Sequence, residues 1–400
     1  MGASGQREGG TKEQPEPERR AVRLESVDLL RGLVMVVMTL DHTRAFFSQA
    51  WAIQPTDLTQ TTPALFLTRW VTHFCAPVFV FLAGVGAYLG RSRAPTVLQH
   101  ARKLLLRGLW LVIVGLVVTG HLVYATFSLR IYWLDVIWAS GWSMVVLSGL
   151  VYLRVRYIVA IGLVVVAGHN ALDTVTPESL GALSGLWRVL HVPGEVHPFE
   201  GLTVSVHYPL IPWIGVMALG YGFGALLQYA PAVRRRWCVR LGVGAVALFV
   251  LLRTANVYGD LTPWSTQRNG VFTLLSWLNC TKYPPSLCFL LMTLGPAVAL
   301  FPLWERGLGR VNGLLLTLGR VPLFYFIVHV AFLFAVCMAH GWAVYGPSFL
   351  DVTAPNPPGY GYGLPVVYLL WLAVVAALYP VARWYAGVKR TSRSPWMSYL

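Results

Sequence analysis

The chain reads as an all-α, polytopic integral membrane protein, a helix bundle with about ten transmembrane helices and both termini in the cytoplasm. Three observations predict this. Of the 400 residues 56% are hydrophobic and only 12% are charged. The apolar residues run unbroken in stretches of roughly 20, the length that crosses a hydrocarbon core. Lys and Arg gather in alternate connections between those stretches, the asymmetry that orients membrane proteins. A transmembrane barrel would instead alternate polar and apolar residues in strands of about ten.

The apolar stretches lie near 27–47, 66–90, 104–126, 130–153, 157–172, 206–228, 237–258, 284–303, 313–340 and 363–386. The fifth is short, and the sixth starts in the proline-containing run HYPLIPW. Pro77 in the second predicts a kink, because proline removes a helical hydrogen bond. Basic residues cluster at Arg19, Arg20 and Arg23, at 91–107, at Arg154 and Arg156, at 234–240, at Arg306 and Arg310, and at 389–393. The intervening connections are acidic. The net charge of +15 is thus distributed as a topology signal, not as a nucleic-acid footprint. Residues 1–24 read as a disordered cytoplasmic tail, 25–390 as a single transmembrane domain and 391–400 as a cytoplasmic tail. The connections 173–205, 259–283 and 341–362 are long and rich in Pro, Gly and aromatics, which predicts a partly covered external mouth. Ala50-Trp51-Ala52 fits a signal-peptidase pattern, but the stretch before it carries Asp28, Arg31 and Asp41, so cleavage is not expected. The five cysteines, Cys75, Cys238, Cys280, Cys288 and Cys337, form no CxxC pair, and neither a disulfide framework nor a metal site is expected.

The first stretch, SVDLLRGLVMVVMTLDHTR, carries the chemistry. Arg31 and His42 are eleven residues apart, which returns a helix to within roughly 20° and separates them by about 16 Å along its axis. Ionisable groups are costly in hydrocarbon and tend to face a functional path. The two side chains should therefore look into one tunnel joining the two aqueous phases. Asp41 stands beside His42, where a carboxylate could set the imidazole's tautomer and basicity. Arg69 and His73, at i and i+4, enter with the second span; Asp135 starts the fourth, Lys282 precedes the eighth, and His329 lies in the outer third of the ninth. These groups converge on the outer half of the bundle. Asp28, Arg31 and Arg320 remain in the inner half. Arg69, His121 and His207 also fit as interfacial snorkellers. A forked guanidinium on one side and an imidazole on the other suits a long phosphorylated donor reaching across to an acceptor.

Asp28-Leu-Leu-Arg31-Gly32, followed by His42, resembles the first-helix signature of transmembrane acyltransferases, including the acyltransferase-3 family, whose hallmark is an Arg-x10-His pair with the histidine implicated in acyl transfer. Over residues 23 to about 330 the chain more closely resembles the bacterial relatives of heparan-alpha-glucosaminide N-acetyltransferase. The shared pieces are RLESVDLLRGLVMVVMTLDH, FCAPVFVFLAGVGAYL, HYPLIPWIGVMALGYGFG, TKYPPSLCFLLMTLGP and LGRVPLFYFIVHV. In the lysosomal enzyme the catalytic histidine follows the first span and an asparagine stands at the equivalent of His42; here Ser48 to Leu65 contain no histidine. The resemblance implies an acyl-CoA-dependent transfer of an acyl group, an acetyl group with acetyl-CoA as donor, and no metal. His42, Asp41 and His73 are then the catalytic candidates. Arg31, Asp28 and Arg320 would hold the donor, and Arg69, Asp135, Lys282 and His329 the acceptor. The expected partners are membrane lipids, acyl-CoA and an extracytoplasmic sugar or glycan, in the cytoplasmic (inner or plasma) membrane. A homo-oligomer stays open. The alternative reading is a transporter of a small anion or a proton-coupled solute, which would use the same residues as a relay.

Overall fold

A computed structural model describes residues 24–307, 309–352, 354 and 356–392. The predicted tails, 1–24 and 391–400, fall outside it except for residues 24, 391 and 392. The described chain is mostly helical. Helix α1 (Glu25–Phe47) has Glu25 and Asp28 in its first turn and Arg44 in its last, charges that complement the helix dipole. Helix α2 (Pro63–Thr72) starts on a Thr62 cap, whose side chain accepts from the Leu65 N–H. It breaks at His73 and Phe74, and α3 (Cys75–Leu89) continues from there. The break has a local cause: Pro77 has no N–H to offer the carbonyl four residues earlier, and that carbonyl belongs to His73.

Helix α4 (Val97–Val114) runs on through a π-turn, Gly115–Thr119. Helices α5 (Val136–Leu150), α6 (Val155–Gly168), α7 (Leu210–Leu226), α8 (Pro231–Ala255), α9 (Gly270–Leu278) and α10 (Leu287–Ala299) follow. The predicted ninth span divides at Val321 into α11 (Asn312–Arg320) and α12 (Pro322–Tyr345), since a residue before proline disfavours helical backbone. Helix α13 (Leu364–Thr391) closes the bundle.

Among the described residues, seven helical segments are long and apolar enough to cross a membrane by length and composition: 63–93, 97–123, 155–172, 231–255, 287–304, 322–345 and 364–391. Of the other predicted stretches, α5 and α7 are apolar but shorter, and α1 carries Glu25, Asp28, Arg31, Asp41 and Arg44. The chain is mostly helical as expected, with one small sheet that the sequence reading did not include. Strands β1 (Ile131–Leu134), β2 (Gly194–Phe199) and β3 (Leu202–Val206) form a small sheet in the order β1-β3-β2, with β1 parallel and β2 antiparallel to β3. Its β-branched and aromatic runs, IYWL and LTVSV, suit paired strands. They lie at ends of the predicted fourth and sixth spans, where chain outside a helix must still pair its backbone polar groups.

Helix α1 sits at the centre, packed on α3, α11, α12 and α13. Its approach to α11 depends on two glycines: a Cβ on Gly32 would overlap the Leu315 carbonyl, and one on Gly319 would overlap that of Asp28. Around this core, α6, α8 and α13 expose Val164, Leu251 and Leu369. Apolar outer faces on helices of this length mark an integral membrane protein.

Candidate active site

The close α1–α11 contact fixes Arg31. Its Nη1 donates to Asp28 Oδ1 at 3.1 Å and to the Gly319 carbonyl at 3.3 Å, and its Nη2 to the Leu82 carbonyl at 3.5 Å. Arg31 lines a cavity of about 1890 Å³. Arg93, Arg107, Arg320, Arg383 and Arg390 also border it, and Asp28 is the one carboxylate among its lining residues. Arg320 reaches Glu25 at 3.4 Å and leaves much of its side chain exposed. Asp28, Arg31 and Arg320, predicted together as donor residues, do share one space. A cavity of this size and charge suits a large polyanion.

On the same face of α1, His42 is held by a histidine from another helix. Its Nδ1 lies 2.7 Å from His329 Nε2, and His329 Nδ1 lies 2.8 Å from the Tyr325 carbonyl. A carbonyl only accepts, so His329 must carry its proton on Nδ1. Its Nε2, in the neutral ring, is then an acceptor, and His42 Nδ1–H must be the donor. The lone pair of His42 is thereby placed on Nε2. His329 is fully buried, whereas His42 keeps accessible surface. The chain Tyr325 carbonyl–His329–His42 thus fixes the tautomer of His42, the less buried of the two rings.

Two expectations are corrected here. Asp41 does not orient His42. Its carboxylate is engaged by Arg69, by Arg44 at 3.1 Å and by the Thr72 hydroxyl at 3.1 Å. Adjacent helix residues point about 100° apart, so the carboxylate reaches α2 while the imidazole faces α12. Nor does a single open tunnel join Arg31 to His42. Between them, Met35 and Met38 occupy the same face of α1, both buried, and neither they nor His42 border the cavity.

The remaining candidates separate. His73 is buried in the α2–α3 break, edge-on to Phe289, and its Nδ1 has no hydrogen-bond partner among the described residues. Asp135, expected to line the acceptor side, is a buried helix cap instead: it accepts from the Ile137 and Trp138 N–H groups and the Thr119 hydroxyl. Lys282 stands 5.2 Å over the Tyr283 ring. Burial pushes the Tyr283 phenol up, and the charges of Lys282 and Arg69 more than offset this, leaving it lowered to about 8.

Sequence reasoning missed the aromatic wall on this side. Tyr124 stacks on Trp133 at 4.2 Å, with His207 at 4.9 and 5.2 Å from the two rings. It also treated Arg93, Arg107 and Arg390 as topology charges alone, although they border the cavity. The signal for His329 was present, one helical turn after Tyr325, but its pairing with His42 spans 287 residues.

Comparison with known proteins places this arrangement. Residues 23–254, more than half of the chain, match the family described as heparan-alpha-glucosaminide N-acetyltransferase, catalytic, which makes the class that of an acetyltransferase-like membrane enzyme. The chain belongs to the heparan-alpha-glucosaminide N-acetyltransferase catalytic family. The match includes Arg31, Asp41, His42, Arg69, His73 and Asp135 and ends before Lys282, Arg320 and His329. No curated protein matches the chain.

Proposed function

We propose that this protein transfers an acetyl group from cytoplasmic acetyl-CoA to an amine or hydroxyl of an extracytoplasmic sugar or glycan. The observation that carries this reading is the fixed tautomer of His42. A neutral imidazole whose Nε2 keeps its lone pair can take the proton of an attacking amine or hydroxyl, or carry the acetyl group itself. His329 positions that ring, and the Tyr325 carbonyl fixes His329. The Arg31 cavity would take the donor, its guanidiniums meeting the phosphates. Arg31 and His42 are about 16 Å apart along α1, comparable to an extended pantetheine arm.

Met35 and Met38 stand where that arm must pass. Thioether side chains are unbranched and adaptable, so the barrier can open for a thioester and close against water. Asp41 and Arg69 would form the floor of the acceptor side, with Lys282 and the Tyr124–Trp133 stack as its walls. The decisive experiment is acetyl transfer from radiolabelled acetyl-CoA to amino sugars by the purified protein, comparing the wild type with His42→Ala. Loss of transfer with donor binding retained is the expected result. Equal transfer by both proteins would remove His42 from the chemistry. The same assay in sealed vesicles separates the enzyme from a transporter, which would accumulate solute without acetylating it.

A further inference from the structure

Arg253 lies in the last turn of α8, an apolar helix long enough to cross a membrane, and is 1% exposed. A charge buried there is costly unless it is well paired. Its donors go to main-chain carbonyls: Nε to Trp277 at 2.9 Å, Nη1 to Thr262 at 2.8 Å, and Nη2 to Ser276 at 3.0 Å and Asn279 at 2.8 Å. Three of these carbonyls stand at the end of α9, where a helix leaves its last carbonyls without partners of its own. The rigid fork of a guanidinium fixes their relative positions. The same group stands 3.7 Å from Asp260, whose side chain is 4% exposed.

Asp260 in turn grips the chain that leaves α9. It accepts from the Thr281 N–H at 3.0 Å, the Thr281 hydroxyl at 2.8 Å and the Ser286 hydroxyl at 2.7 Å. The Ser286 N–H closes the bight on the Thr281 carbonyl at 2.9 Å, and Ser286 caps α10 through the Phe289 N–H. Both ends of residues 281–286 are thus pinned to one carboxylate. Lys282 and Tyr283 are carried between them, with the Tyr283 ring 5.3 Å from Tyr208 and 6.2 Å from His207. For stability alone, an apolar pair of similar volume often serves as well or better than a buried ionic one. The ionic pair here points to a required geometry.

We propose that Arg253 and Asp260 are positioning residues of the acceptor side: together they set the Thr281–Ser286 bight so that Lys282 and Tyr283 stand beside Arg69, while touching no substrate themselves. This inference rests on the acceptor binding on the His42 side. It adds to that side a support running from α8, through the end of α9, to the start of α10.

The test reads Tyr283 directly. Tyrosinate absorbance of the full-length protein in lipid nanodiscs is titrated with pH, and subtracting the matching Tyr283→Phe protein isolates this phenol from Tyr208, Tyr124 and the rest. In the wild type it should ionise at about 8, since burial raises it and the charges of Lys282 and Arg69 more than offset this. Thr281→Val and Asp260→Asn, both close to isosteric, should move the midpoint up toward the ordinary phenol value of about 10 as the phenol leaves those cations. Losing the Asp260 charge acts directly in the opposite sense, so a rise reports displacement. Thr281→Ser returns the hydroxyl and should return the midpoint. The two disruptive variants should also raise the acceptor KM about fivefold or more, with the donor KM within about twofold. A midpoint unmoved in both variants, even with a lowered Tm, makes the pair a packing support and overturns the proposal. So does failure of both variants to fold, or a wild-type midpoint already at about 10. Acetyl transfer is scored separately. A moved midpoint without transfer in the wild type keeps the positioning of Lys282 and Tyr283 and removes the acetyltransferase reading, and transfer with an unmoved midpoint does the reverse.

Discussion

The two ends of α1 treat charge in opposite ways. At the Arg31 end, guanidiniums line a wide cavity with Asp28 as its one carboxylate, and Arg31 itself is anchored to main-chain carbonyls of α3 and α11. At the His42 end the cations converge on a single aspartate, and the histidine's hydrogen bond among the described residues goes to a second histidine on α12. The first arrangement suits a large polyanion. The second holds one neutral imidazole in a defined tautomer beside a charged pocket. On the proposed reading, donor binding and acyl transfer fall at opposite ends of α1, with the buried Met35 and Met38 between them.

That division predicts a graded set of effects. Replacing His42 with alanine should have the largest, lowering kcat for acetyl transfer by about 10²–10⁴-fold, the range of a lost general base, while leaving donor affinity unchanged. A comparable loss of donor binding would mean that the two ends are not separate. His329→Ala should lower kcat by about 10–10²-fold and alter the shape of the pH–rate profile, because His42 would lose the acceptor that fixes its tautomer. An unchanged profile would make His329 a packing residue.

Next in size is the barrier. Met38→Trp should block transfer by roughly tenfold or more while donor binding persists, since overpacking a buried position removes the room a passing chain needs. Arg31→Gln should instead raise the KM for acetyl-CoA by about tenfold, the worth of a charge-assisted hydrogen bond, with little change for the acceptor. Steady-state kinetics with each substrate varied in turn separate these cases.

The smallest effect concerns pH. As pH rises through about 8 the Tyr283 phenol ionises, and its charge offsets Lys282 and Arg69, which face it along with Tyr208 and Tyr124. The acceptor KM should therefore rise a few-fold above pH 8 in the wild type and stay flat in Tyr283→Phe. A rise of equal size in both proteins would assign the ionisation elsewhere.

Much of the scaffold was legible in the sequence, because hydropathy and the spacing of Lys and Arg register directly the cost of polar groups in hydrocarbon. Arg31 facing a polar space followed from helical phase alone. Pro77 marked one interruption that shapes the site, whereas the break at Val321, before Pro322, fell inside a span read as continuous. The partner of His42 was misread for a geometric reason: Asp41 is adjacent in sequence, but neighbours on a helix diverge, and the true partner lies on α12. The small sheet was hidden because IYWL and LTVSV are as apolar as the spans they adjoin. Met35 and Met38 went unremarked because uncharged residues inside an apolar run give no signal of their own. Their position on the Arg31–His42 face was nonetheless set by the same eleven-residue spacing.

The central claim is that donor and acceptor approach His42 from opposite sides of the membrane. Sealed vesicles of known orientation, with labelled acetyl-CoA confined to the side bearing Arg31 and an amino sugar to the side bearing His42, test it most directly. The account predicts acetylated sugar in the His42 compartment, and none with His42→Ala. Product formed only when both substrates share one compartment, or sugar moved across unmodified, would contradict it.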